Sequence, residues 1–226
     1  MPTILITGAN RGIGLELAKQ YAGDGWSVIA TARNPKNADG LNALKGDIRI
    51  EALEVTDDQQ VQALAKTLSG TAIDVLLNNA GMLTGYEPLG ETDTASWLKT
   101  LHVNSIAPLK LTEALVEHIA RSKQKKIASI TSGMGSMGGH ASSGAYAYRS
   151  SKAALNMVMV TAANELRSRG VSVAVISPGW VKTDMGGSGA TLHVKDSAAG
   201  IRKVIDKLNV GISGQFFNYS GENLPW

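Results

Sequence analysis

The stretch Thr7-Gly8-Ala9-Asn10-Arg11-Gly12-Ile13-Gly14 decides how this chain is read. It follows the β-branched run Thr3–Thr7 and opens a helical pattern of Leu15, Leu17, Ala18, Tyr21 and Ala22. Glycine lets a backbone turn sharply and approach a phosphate closely. A helix starting at such a turn offers free N–H groups and the positive end of its dipole to an anion. The spacing is Gly-x-x-x-Gly-x-Gly rather than Gly-x-Gly-x-x-Gly, and a glycine cluster alone also fits any tight strand–helix turn. Its position, closing the first strand and opening the first helix, favours a dinucleotide site with Gly8, Asn10, Arg11, Gly12, Ile13 and Gly14 as the cradle.

Outward from this turn, six further apolar runs alternate with helix-period stretches: Ser27–Thr31, Ile48–Val55, Ile73–Asn78, Lys126–Thr131, Val171–Ser177 and Gln215–Tyr219. Continuous apolar strands separated by helices imply a parallel sheet covered on both faces. The expectation is a single α/β domain over residues 1–226, a Rossmann-like doubly wound parallel sheet of about seven strands with helices on both faces. Two long helical patterns stand out: Thr94–Lys123, which Pro108 should break or kink, and Tyr148–Arg169. The second is apolar on more than one face. Met157, Met159, Val160 and Ala163 are its candidates for a self-complementary patch, giving a homodimer or homotetramer.

Composition bounds the function. With 226 residues, 43% hydrophobic, the chain can bury a sizeable core. The absence of cysteine removes disulfides, thiolate metal sites and a cysteine nucleophile. The balance of 22 Lys+Arg against 19 Asp+Glu is nearly neutral, and the one basic cluster, Arg121, Lys123, Lys125 and Lys126, reads as a solvated helix end. Nucleic acid is therefore not expected as a partner. No apolar stretch is long enough to span a bilayer, and Met1–Thr7 lacks the basic start of a signal peptide, so a cytoplasmic protein without a membrane partner is expected. No metal is expected: His102 falls on a helix, and His140 falls in a Gly- and Ser-rich loop without metal-ligand spacing.

The choice of dinucleotide follows from the second strand. An NAD site places an acid about 20 residues beyond the turn, on the ribose 2′-hydroxyl. Here that position reads Ala30-Thr31-Ala32-Arg33-Asn34, with no acid. Arg33 can pair a 2′-phosphate by charge-assisted hydrogen bonds, and Arg11 is placed to reach the same group. The expected cofactor is NADP(H), preferred over NAD(H).

Tyr148 and Lys152 stand four apart on a predicted helix and so share a face. A phenol ionises near pH 10 and an adjacent ammonium stabilises its anion, which makes the pair an acid–base device. Such a pair is common by chance. It gains meaning from Ser132 at an upstream strand end, for which Ser129 and Ser136 are rivals.

Taken together, Thr7-Gly8-x-x-x-Gly12-Ile13-Gly14, Asn78-Asn79-Ala80-Gly81, Asn104 in Val103-Asn104-Ser105, Ser132, Tyr148-x-x-x-Lys152 and Pro178-Gly179-x-x-x-Thr183 resemble the short-chain dehydrogenase/reductase family from end to end. The length and the ending Gly221–Trp226 are similar to its C-factor/sniffer-like carbonyl reductase subgroup. The resemblance implies roles. Tyr148 is the acid–base catalyst. Lys152 lowers its pKa and bonds the nicotinamide ribose. Ser132 holds the carbonyl oxygen, and Asn104 supports a water in a proton relay to Lys152. Asn78, Ala80 and Gly81 line the cofactor, and Pro178, Gly179, Val181 and Thr183 hold its nicotinamide end. Val55 and Glu54 fall at the adenine edge.

Some readings stay open. Asn78 and Asn79 also fit a plain strand-end cap. Asn104 also fits a residue that satisfies backbone groups freed by Pro108. Trp180 fits a substrate wall or a packed core. The step from Ser132 to Tyr148 is longer than the family's usual one, and Glu54-Val55 stands where the family more often has Asp before Val. Asp184–Ser197, rich in glycine, is expected to cover the substrate. The resulting expectation is an NADPH-dependent oxidoreductase that reduces a carbonyl compound (aldehyde, ketone or quinone) to an alcohol. The alternative is a C-factor-type nucleotide-binding signal or sensor.

Overall fold

The computed structural model describes residues 1–139 and 142–226; the expectation for His140 lies outside the described residues. Seven strands form one sheet: β1 (Thr3–Ile6), β2 (Ser27–Ala32), β3 (Ile48–Ala52), β4 (Val75–Asn78), β5 (Lys126–Ile130), β6 (Ser172–Ser177) and β7 (Gln215–Asn218). Their order is β3-β2-β1-β4-β5-β6-β7, and every pairing is parallel. The helices are α1 (Gly12–Gly23), α2 (Asp39–Asn42), α3 (Asp58–Thr67), α4 (Thr94–Leu101), α5 (Ala107–Ala120), α6 (Tyr146–Leu166) and α7 (Val194–Lys207).

Alternation along the strands divides the core in two. Ile4 and Ile6 of β1 face Leu17, Ala18 and Tyr21 of α1 and Ile201, Val204 and Ile205 of α7. Leu5, between them, faces Val61 and Leu64 of α3, Leu111, Leu115 and Ile119 of α5, and Leu155, Met159 and Ala163 of α6. Both faces are thus buried, which is why the strands read as continuous apolar runs. Strand order reverses between β1 and β4, and a doubly wound sheet opens its ligand crevice at the carboxyl ends flanking that point. The glycine turn after β1 and Asn78–Gly81 after β4 lie there.

Four details differ from the expectations. β3 stops at Ala52, before Glu54 and Val55, because Glu54 and Asp57 close a turn, Asp57 N donating to Glu54 O, and the Asp57 carboxylate caps α3. The long helix Thr94–Lys123 ends at Ala120, and its irregularity is a π segment at His102–Ile106 rather than a break at Pro108. Pro108 sits in the first turn of α5, where the change from π to α bonding absorbs its missing N–H. The helix carrying Tyr148 begins two residues earlier, at Tyr146. Finally, Met159 and Ala163 are covered by their own chain, leaving only Met157 and Val160 of the expected patch toward the surface.

Candidate active site

The cradle is built by backbone conformation and close approach. Gly8 and Gly12 adopt φ of +63° and +55°. A Cβ on Gly14 would lie 2.6 Å from Gly8 O and 2.5 Å from Asn79 Nδ2, so helix and turn meet at a distance only glycine permits. The turn is locked to the β4 loop. Thr7 Oγ1 accepts from the N–H groups of Asn79 and Ala80 at 2.9 and 3.0 Å, and Asn79 Nδ2 donates to the carbonyls of Thr7 and Gly8 at 2.9 and 3.1 Å. Asn79 is thus a brace between the two lips of the crevice rather than a plain cap.

This crevice fits a dinucleotide. No side chain caps α1, whose preceding residue Arg11 is extended, so the first-turn N–H groups remain available to a phosphate. Asn78 Oδ1 is buried without a partner at the end of β4, while its Nδ2 donates to Ser129 Oγ at 3.2 Å. Arg33 is exposed just past β2, with no carboxylate among residues 30–34. Thr183 closes the other side: its Cγ2 lies 3.4 Å from where a Gly12 Cβ would be. Pro178 O accepts from Ser197 Oγ at 2.7 Å, and buried Val181 bridges Leu192, which folds the β6–α7 loop back on itself beside Gly179.

The acid–base cluster forms at the next step along the crevice. Gly81 marks its centre: a Cβ there would stand 3.4 Å from Asn104 Oδ1 and 3.6 Å from Lys152 Nζ. Asn104 is set by the π segment, a geometry that recurs at functional sites. Its side chain accepts from Met82 N and donates to Met82 O and to Ser151 Oγ, each at 2.9 Å. It therefore ties the β4 loop to α6 and does not serve the backbone around Pro108. Ser105 Oγ adds a bond to Ser151 O at 2.6 Å. The Lys152 ammonium lies 5.7 Å from the Tyr148 ring centre and donates to Ile130 O at 2.9 Å. Of the three candidate serines, Ser132 alone bears on the Tyr148 phenol, and its Oγ also accepts from Met134 N at 3.1 Å. Ser129 is fully buried against Asn78, and Ser136 donates to Pro225 O at 2.6 Å.

Burial dominates the electrostatics. It pushes the Tyr148 phenol up to about 12, against a lowering by hydrogen bonding with Ser132. It pushes the Lys152 ammonium down to about 8. In the protein alone the phenol is raised by its removal from water, and the lowering that opposes this comes from Ser132. Tyr148 is consequently a neutral phenol, a proton donor, across the neutral range.

Three residues expected at the cofactor also make contacts within the protein. One oxygen of the Glu54 carboxylate, Oε1, accepts from Thr56 Oγ1 and Thr56 N at 3.0 and 3.3 Å, and Val55 packs into the core beside α3. Arg11 pairs with Asp184 at 3.2 Å, toward the β6–α7 loop. Trp180 is 57% exposed and is no core residue; its Nε1 donates to Gly186 O at 2.8 Å. Asp184 meets Arg11 across 173 positions of sequence, and no spacing signal marks it. Among the described residues, no cluster of three or more His, Asp or Glu side chains could hold a metal ion, and no helix is long and apolar enough to cross a membrane.

A fold of this order with this cluster at its crevice defines a nucleotide-dependent oxidoreductase class. The family model for short chain dehydrogenase matches residues 2–191, and the chain belongs to that family. It is 42% identical over 166 residues to C-signal of Myxococcus xanthus, covering 74% of this chain and all of that protein. Its fold superposes on carbonyl reductase Sniffer of D. melanogaster with a TM-score of 0.93, at 32% identity over the whole of both chains. It superposes on the NADPH-bound carbonyl reductase from chicken fatty liver with a TM-score of 0.91, at 32% identity over 100% of this chain and 99% of that one.

Proposed function

We propose that this protein is an NADPH-dependent carbonyl reductase acting on an aldehyde, ketone or quinone, with one domain carrying both cofactor and substrate. The observation that carries the reading is the meeting of Asn104 and Lys152 at Gly81, with the Tyr148 ring 5.7 Å from the Lys152 ammonium and Ser132 beside the phenol. Bound nicotinamide would supply the hydride. Ser132 and Tyr148 hydrogen-bond the carbonyl oxygen, and Tyr148 gives it a proton as negative charge develops there. Lys152, held near 8, is poised to return a proton to the phenol, through a water that Asn104 Oδ1 helps to hold. Gly8, Asn10, Gly12, Ile13 and Gly14 cradle the pyrophosphate, Arg33 pairs the 2′-phosphate, and Pro178, Gly179, Val181 and Thr183 enclose the nicotinamide with Asn78, Ala80 and Gly81. Arg11 serves the phosphates from its position beside Asp184.

The resemblance to C-signal supports a second reading, a signalling protein; a complete proton-donating cluster has no use in a pure nucleotide binder, which favours the enzyme. We further infer a cytoplasmic protein, assembled as a homodimer through the side of α6 that bears Met157 and Val160. The test of function is NADPH consumption, followed by absorbance, with a panel of aldehydes, ketones and quinones. Absence of turnover across the panel, with NADPH bound, would return the protein to the signalling reading.

A further inference from the structure

The β4–α4 loop presents one aromatic side chain that nothing in the cofactor or proton-transfer machinery uses. Tyr86 is 65% exposed on a loop held at both ends. At one end Asn104 clasps both backbone groups of Met82. At the other, Ala145 N donates to Glu87 O at 3.1 Å. Thr84 Oγ1 closes the interval by donating to the Glu87 carboxylate at 3.1 Å. The loop presses so closely on the segment before α6 that a Cβ on Gly144 would lie 3.3 Å from Tyr86 O and 3.2 Å from Glu87 O. Gly144 and Ala145 immediately precede the helix that carries Tyr148, so Tyr86 is fixed to the same rigid body as the proton donor. The Tyr86 phenol is near enough to Tyr148 to raise its pKa.

We propose that Tyr86 is a substrate-contacting residue that determines specificity, its ring forming the outer wall of the carbonyl site and favouring substrates whose carbonyl carries an aromatic or other planar group. The assignment rests on the carbonyl-reductase reading above for its substrate class. A ring that is 65% exposed on a loop held by backbone bonds gains contact area when a ligand packs on it. Ring-on-ring packing adds to simple burial, and loss of the ring removes both contributions.

The experiment compares kcat/KM for benzaldehyde and for butanal in the wild type, Tyr86→Ala and Tyr86→Phe, with NADPH saturating. In Tyr86→Ala the benzaldehyde-to-butanal ratio is expected to fall about ten-fold, the loss appearing in KM rather than kcat. In Tyr86→Phe, which keeps the ring, it stays within about three-fold. A fall below about three-fold in Tyr86→Ala, or an equal fall in both variants, overturns the assignment. If the wild type reduces neither aldehyde, the carbonyl-reductase reading passes to the ketones and quinones of the panel. Tyr86 is then judged by calorimetric titration of benzamide into the NADP-loaded protein. Weaker binding to Tyr86→Ala than to wild type supports the wall; equal or absent binding in both overturns it.

Discussion

The Lys152 ammonium reaches across to the Ile130 carbonyl, donating at 2.9 Å from a side chain that is 4% exposed. That single bond does not repay its removal from water, and its pKa falls from 10.5 to about 8. A displacement of that size is worth about 3 kcal/mol, and an orphaned carbonyl takes back about 1 kcal/mol when Lys152 is replaced by Met. Lys152→Met should therefore stabilise the fold at pH 7 by about 2 kcal/mol, raising Tm by roughly 4–8 °C, while abolishing turnover. Because the folded value is depressed, the unfolded chain binds the extra proton between pH 8 and 10.5. Wild-type stability rises through that window, and the advantage of the variant shrinks with it. Thermal melts of both proteins at pH 7 and pH 10 check this; an equal gain at both would contradict the burial of a charged Lys152.

Tyr148→Phe retains the ring that packs beside Lys152 and removes the proton donor. Turnover should fall by about 10²–10⁴-fold, the usual contribution of general acid catalysis. NADPH affinity, read by fluorescence titration, should change less than about three-fold. Retained turnover on a substrate from the panel would assign the proton to another group.

Arg33→Asp removes one charge-assisted contact and adds repulsion at the 2′-phosphate. NADPH affinity should drop about ten- to a hundred-fold, with NADH affinity unchanged or improved. Equal wild-type affinity for the two cofactors would show that Arg33 does not select.

Two glycines of the same helix should respond in opposite directions. Gly14→Ala forces a methyl group against Gly8 O and Asn79 Nδ2 and should cost about 1–3 kcal/mol together with cofactor binding. Gly23→Ala has nothing within 4 Å of the new methyl and should stabilise by about 0.5–1 kcal/mol. Denaturant midpoints of both variants test the pair, and a destabilised Gly23→Ala would show that α1 does not continue helical to that residue.

Light scattering at micromolar concentration tests assembly. A mass near 23.7 kDa means a monomer and refutes the homodimer. If a dimer is found, Val160→Glu should dissociate it, since Val160 is partly exposed; Met159→Glu should instead unfold the chain, since Met159 is 1% exposed.

The sequence by itself determined a doubly wound parallel sheet of about seven strands, because a sheet buried on both faces writes uninterrupted apolar runs and a phosphate turn needs glycines at fixed places. It also marked Tyr148 and Lys152, whose spacing is a local property of one helix. What only the tertiary structure decided were relations between segments far apart in the chain. Ser132 was separated from Ser129 and Ser136 by which one bears on the Tyr148 phenol. Asn104 proved to hold Met82 through a π segment that no periodicity announces. Met159 and Ala163 were shown to be core, since an apolar helix face looks the same in sequence whether its own sheet or a second copy covers it. The pKa values of Tyr148 and Lys152 were likewise beyond the sequence. They follow from how much water the fold removes around each group, and desolvation is a sum over every neighbour that packing brings near.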